Sequence, residues 1–156
     1  MPVPAEWLQF LEHLPAAASI RQSAWLYPFL EIVHIAGIVV LVGPAVMFDL
    51  RLLGASKHLP VNGLSQHLLT WSMRGLWLVI PSGILLFITN AVALGNDPVF
   101  WTKLCLLALA AGNAFLFRVF RPSDDRERLP VKVKAVAIAS LVLWTAIIAC
   151  GRMLAY

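Results

Sequence analysis

Four long apolar runs, interrupted only by isolated polar positions, divide the chain at about residues 25–48, 67–94, 99–119 and 131–155. A helix rises about 1.5 Å per residue, so about twenty such residues cross the roughly 30 Å hydrocarbon layer of a bilayer. Each run therefore predicts a spanning helix. The short connections between the second and third runs and between the third and fourth make neighbouring helices antiparallel. The expected fold is all-α: one integral membrane domain, residues 1–156, forming an up-down four-helix bundle. Ahead of it, residues 4–14 place Trp7, Leu8, Phe10, Leu11 and Leu14 on one side and Glu6, Gln9 and His13 on the other. This predicts a short amphipathic helix lying in the membrane interface.

The punctuation between runs fits the same plan. Pro15 ends the interfacial helix, and Ser23 can cap the first span, with Pro28 tolerated in its opening turn. Pro81, followed by Ser82 and Gly83, predicts a kink with a freed carbonyl in the second span. Gly95-Asn96-Asp97-Pro98 reads as a tight outer turn in which Asp97 caps and Pro98 opens the third span. Ala108 with Gly112, and Ala135 with Ala139, have the four-residue spacing of small residues that lets helices pack closely.

Charge orients the bundle. Of the 12 Lys and Arg, Arg51, Lys57 and Arg74 flank the first connection, and Arg118, Arg121, Arg126, Arg128, Lys132 and Lys134 flank the third. Positive charge on alternate connections is the positive-inside pattern, so both termini are expected on the periplasmic face of a bacterial inner membrane. The composition agrees: 60% hydrophobic and 13% charged residues, with a mean hydropathy of +0.82. The net charge of +4 does not imply nucleic acid, because the basic residues flank spans instead of forming an aromatic-laced stripe. Membrane lipids are the expected partners of these cations. With Glu6 and Glu12 interrupting the N-terminal segment, no cleavable signal is read, and the first span is expected to act as its own insertion signal.

An ionisable side chain inside a bilayer costs about 2.5 to 3.5 kcal/mol on insertion scales, so each requires an explanation. His34 lies about 4 Å outward of the midpoint of the first span. Glu31 and Gly37 share its helix face, the glycine leaving room for a flat group. An imidazole there can ligate a metal or carry a proton; the alternative is a histidine bonded to a neighbouring helix. Lys103 and Arg152 lie near the outer ends of the third and fourth spans, where they can hold the carboxylates of a porphyrin whose iron meets His34, or can simply snorkel to headgroups. Cys105, Cys150 and Met153 stand at similar outer depth and with His34 make up a soft-metal set for copper; alternatively the cysteines are packing residues. Asn113 and Ser140 are polar groups within the last two spans, and Asp49 with Arg74 suggests a pair between the first two helices. No Ser-His-Asp set, phosphate-binding glycine loop or CxxC occurs.

Leu30-Glu31-Ile32-Val33-His34-Ile35-Ala36-Gly37, Phe48-Asp49-Leu50-Arg51-Leu52-Leu53-Gly54, Phe100-Trp101-Thr102-Lys103-Leu104, Asn113-Ala114 and Gly151-Arg152-Met153-Leu154-Ala155-Tyr156 together resemble an uncharacterised bacterial family of four-span membrane proteins, domain of unknown function 6644. That resemblance covers nearly the whole chain and implies topology, not activity. More distantly, the His-bearing first helix and the Lys-opened third helix resemble the HemJ-type haem-binding protoporphyrinogen oxidases and the CopD-like copper-handling membrane domains. This implies His34 as a haem ligand and Lys103 as a carboxylate partner. Asn113 stands where HemJ-type proteins carry a second histidine.

The leading expectation is thus a membrane protein holding one haem b in the outer half of the bundle, for electron transfer or haem handling. His34 is the axial ligand, Lys103 and Arg152 the propionate clamp, Glu31 and Asn113 further residues of the pocket, and other membrane redox proteins the electron partners. The second axial position has Met153, Met47 or an open site as candidates. The alternatives are a copper-binding or copper-transport-associated protein, and a non-catalytic accessory subunit with no cofactor.

Overall fold

The computed structural model describes residues 5–56, 58–120 and 130–154. Lys57, the Arg121–Asp125 connection, Arg126, Arg128 and the last two residues lie outside them. The described residues form seven helices and no strand: α1 Ala5–Glu12, α2 Pro15–Gln22, α3 Leu26–Leu53, α4 Val61–Thr89, α5 Ala91–Asn96, α6 Pro98–Phe120 and α7 Val131–Met153. Helices α3, α4, α6 and α7 are long and apolar enough to cross a membrane. The chain is a multi-pass membrane protein built as a four-helix bundle.

The boundaries follow local chemistry. Ser23 Oγ accepts the Leu26 N–H at 3.2 Å, the expected start of α3. That helix continues past the expected residue 48, through Pro44, until Gly54 takes a left-handed φ of 115°. There the Gly54 N–H bonds the Arg51 carbonyl at 3.1 Å and the Ala55 N–H bonds that of Leu50 at 2.9 Å, a Schellman stop that only a residue without Cβ adopts easily. The second span begins and ends earlier than the sequence suggested. Helix α4 starts at Val61, directly after Pro60, and stops at Thr89, so that residues 91–96 form the separate helix α5. The expected turn at Gly95 and Asn96 is therefore helical, and the connection to α6 is Asp97 alone.

Asp97 Oδ1 accepts the Val99 N–H at 2.7 Å, capping a helix whose first residue is Pro98. Loss of a cap of this kind costs about 0.5–2 kcal/mol. An Asp97→Ala protein is expected to unfold in a denaturing-detergent titration at a correspondingly lower midpoint, with Asp97→Asn retaining most of the stability.

The end of the bundle that bears the N-terminal helices, designated its outer end, carries a second layer. Helix α1 stops at Glu12, short of the expected Leu14, and Pro15 opens α2, an eight-residue element that the sequence reading did not predict. Leu8 of α1 is buried against Gly95 of α5, whose absent Cβ leaves the space that Leu8 fills. Glu12 Oε1 accepts the Val92 N–H at 2.9 Å, satisfying a donor at the start of α5, and Glu12 Oε2 lies 3.6 Å from Arg21. Trp7 and Phe10 face outward, as suits residues in the membrane interface.

Within the membrane, burial of apolar surface does little to drive helix association, so close packing and interhelical hydrogen bonds carry it. Gly37 of α3 lies against Leu78 and Val79 of α4, and a Cβ at Gly75 of α4 would stand 2.6 Å from the Leu41 nitrogen. Ser72 Oγ donates to the Leu41 carbonyl at 2.6 Å across the same interface. Close packing thus joins α3 to α4. The Ala108/Gly112 and Ala135/Ala139 pairs do not form the α6–α7 contact: nothing lies within 4 Å of a Cβ built at Gly112, and Ala108 and Ala135 are exposed. Instead Asn113 Nδ2 donates to the Val136 carbonyl at 3.0 Å. The main apolar cluster, Phe48, Leu52, Val61, Phe117, Val133, Val136 and Ala137, fills the inner half, with Phe48 and Phe117 edge to face at 5.1 Å. The opposite half buries Ile88, Ala91 and Ile147 together with the polar Ser82 and Thr89.

Candidate functional site in the outer half of the bundle

His34 is half-buried on α3, and its Nδ1 lies 2.9 Å from Ser82 Oγ on α4. Ser82 Oγ is also 2.5 Å from the Leu78 carbonyl oxygen of its own helix. Two oxygens at that separation need a proton between them, and only the serine hydroxyl can supply it. Ser82 is thereby committed as a donor to Leu78 and can only accept from His34. The imidazole accordingly donates through Nδ1 and, in its neutral form, presents a lone pair on Nε2, the arrangement that orients histidine ligands and proton acceptors.

The sequence expectation for Pro81 is met in a modified form. Helix α4 runs without interruption from Val61 to Thr89 with Pro81 inside it, so there is no break in the element. Proline nevertheless has no N–H to donate, and Ser82 bonds back to Leu78, a contact that bends helices. The room beside Gly83 is taken by the histidine: a Cβ there would stand 3.1 Å from His34 Cε1. Gly83 gives His34 its space, whereas the Gly37 surface, expected to leave room for a flat group, is covered by Leu78 and Val79.

Lys103 reaches the same layer from α6. It is half-buried, its Nζ lies 3.6 Å from the position a Cβ would occupy on Gly151 of α7, and its charge acts on both His34 and Cys150. Lys103 therefore packs among the helices instead of extending freely to the headgroups. All four spanning helices contribute to this layer: His34 from α3, Ser82 and Gly83 from α4, Lys103 from α6, Cys150 and Gly151 from α7. Between α4 and α6 no described pair of Cα atoms comes within 8 Å. The two helices meet instead through the Phe87 and Phe100 rings, stacked at 5.1 Å. Phe87 is about 6 Å outward of Gly83 and Phe100 about 4.5 Å outward of Lys103, so this pair roofs the layer.

The remaining expected residues are not gathered here. Glu31 is exposed one turn outward and acts on Tyr27. Asn113 lies about 15 Å inward of Lys103 and is engaged with Val136. Arg152, Cys105 and Met153 are exposed, the cysteines are unpaired, and Met47 is 62% exposed. No group of three His, Cys, Asp or Glu side chains is assembled among the described residues. Asp49 and Arg74 do not pair: Asp49 faces Ser140, and Arg74 lies over Trp71 at 4.7 Å. Ser82 is the site residue that sequence reasoning used only as part of a kink.

No curated protein and no solved structure matches the chain. The chain belongs to a family of unknown function, DUF6644, whose model matches residues 23–156. The likeness to HemJ-type and CopD-like proteins is not shown by these comparisons.

Proposed function

The family is one of unknown function, so from the residues themselves we propose that this is an inner-membrane haem-binding protein, serving electron transfer or haem handling, with both termini periplasmic. His34 Nε2 is the axial ligand and Lys103 the partner of an acidic substituent, with Arg152 a second cation at the outer edge. The observation that carries this reading is the Ser82 hydroxyl held by Leu78, which leaves the His34 lone pair on Nε2. Gly83 admits the imidazole, and a planar group would be taken up between α4 and α6, whose backbones stay apart below the stacked Phe87 and Phe100. When bound, haem supplies one-electron chemistry at its iron. The protein's own part is to orient one imidazole, neutralise a carboxylate and exclude water behind the aromatic pair. Met47 and Met153 are exposed, so the residues present fit a single protein ligand.

The test is the absorbance of the protein purified in mild detergent, with and without dithionite. A reducible Soret band is expected. A colourless sample containing stoichiometric copper would replace this reading with the copper alternative, and a sample with neither would leave an accessory subunit. Orientation is tested separately: alkaline phosphatase fused after Tyr156 is expected to be active, and activity only from a fusion near Arg126 would invert the topology.

A further inference from the structure

Asp49 is an acidic side chain of the inner half that the haem reading does not use. It is 7% exposed and stands four residues before the end of α3, about 6 Å into the helix. The Ser140 hydroxyl of α7 serves its carboxyl, while Oδ2 is sealed from solvent with no hydrogen-bond partner. Ser140 follows Val136 and Ala137 by about one turn, so the carboxyl sits beside the apolar cluster.

Among the described residues, the charged and titratable groups on the surrounding helices do not neutralise it. On α3, Arg51 directs Nε to the Leu59 carbonyl at 2.8 Å. On α4, Arg74 lies over Trp71 and His67 is exposed. Arg118 of α6 is exposed, and Lys132 and Lys134 of α7 are exposed about 9 to 12 Å along the helix from Ser140. An ionised carboxylate here would keep a buried, unbalanced charge, whereas the neutral acid leaves only one hydroxyl without an acceptor. Buried intramembrane acids of this kind are sites where protons are held and passed.

We propose that Asp49 is a proton-binding site of the inner half: a carboxylic acid protonated on Oδ2 at neutral pH, its carbonyl oxygen accepting from Ser140, that exchanges its proton with the cytoplasmic side. Release breaks the O–H bond, passes the proton to water and leaves a carboxylate; no electron moves. The experiment is infrared spectroscopy of the full chain in lipid nanodiscs. The wild type is expected to show a protonated-carboxyl carbonyl band at neutral pH that shifts in D2O and fades reversibly as pH rises. Asp49→Asn should lack this band. Ser140→Ala should move it to higher frequency by removing the donor to the carbonyl, and because it retains Asp49 it tests the proposal even if the asparagine protein fails to assemble. The proposal is overturned by absence of the band from the wild type, by its persistence in Asp49→Asn, or by insensitivity to D2O. None of these results depends on haem content.

Discussion

The His34→Ala protein is expected to insert at the wild-type level and to lose the Soret band of the purified protein entirely. Alanine is well tolerated in a spanning helix, so the loss would report the missing nitrogen and not a failure to assemble. Two weaker variants grade the effect. Ser82→Ala removes the acceptor that holds the Nδ1 proton, and loss of such an orienting partner typically costs about 10–100-fold in affinity. Lys103→Ala should lower haem retention without changing the ligand-field spectrum, because it removes a charge-assisted bond and leaves the coordinate one. Identical spectra and haem content in wild type and His34→Ala would return His34 to the role of a packing histidine bonded to Ser82.

Gly75→Leu is expected to be strongly destabilising, through the contact between α3 and α4. A Cβ at that position would lie 2.6 Å from Leu41 N and 2.8 Å from Leu41 Cα, both backbone atoms of α3. Neither can rotate aside as a side-chain tip would, so the helices must separate. Overpacking of a tight contact costs about 1–3 kcal/mol, and parting the helices also removes the Ser72 bond to Leu41, worth about another 0.5–1.5 kcal/mol. The matched control is Gly112→Leu, where nothing lies within 4 Å. In an SDS-unfolding titration the Gly75 variant should unfold at a clearly lower fraction of SDS and the Gly112 variant near the wild-type midpoint; equal midpoints would refute the assignment of the close interface.

The spans were legible because hydropathy and length alone select them, and the caps at Ser23 and Asp97 because a side-chain oxygen two or three residues before a helical N–H has few other partners. The ends were less so. Leu50 to Leu53 continue α3 since nothing stops a helix until Gly54, and a hydropathy boundary does not register that. The α4–α5 division at Asn90 left no mark, because residues on both sides are apolar. Choosing the small residues that meet was the harder problem: Ala108 and Gly112 have the four-residue spacing, yet the small residues that face α3 are Ser72, Gly75 and Ser82 of α4, at intervals of three and seven. Four-residue spacing identifies a face and not the helix it meets. At the site, His34 and Lys103 were readable as costly intramembrane groups. Ser82 was not, since a serine in a helix commonly bonds back to its own backbone, and its second role depends on an imidazole 48 residues earlier in the chain.

The clasp between Glu12 and the start of α5 bears on the order of biogenesis. Glu12 and Leu8 are made before α3, but their partners Val92 and Gly95 follow only after α3 and α4 have been made. Until then α1 lacks the α5 surface it packs on, and its exposed Trp7 and Phe10 suit it to the bilayer surface. The clasp of α1 on α5 thus closes only after the second crossing has been made.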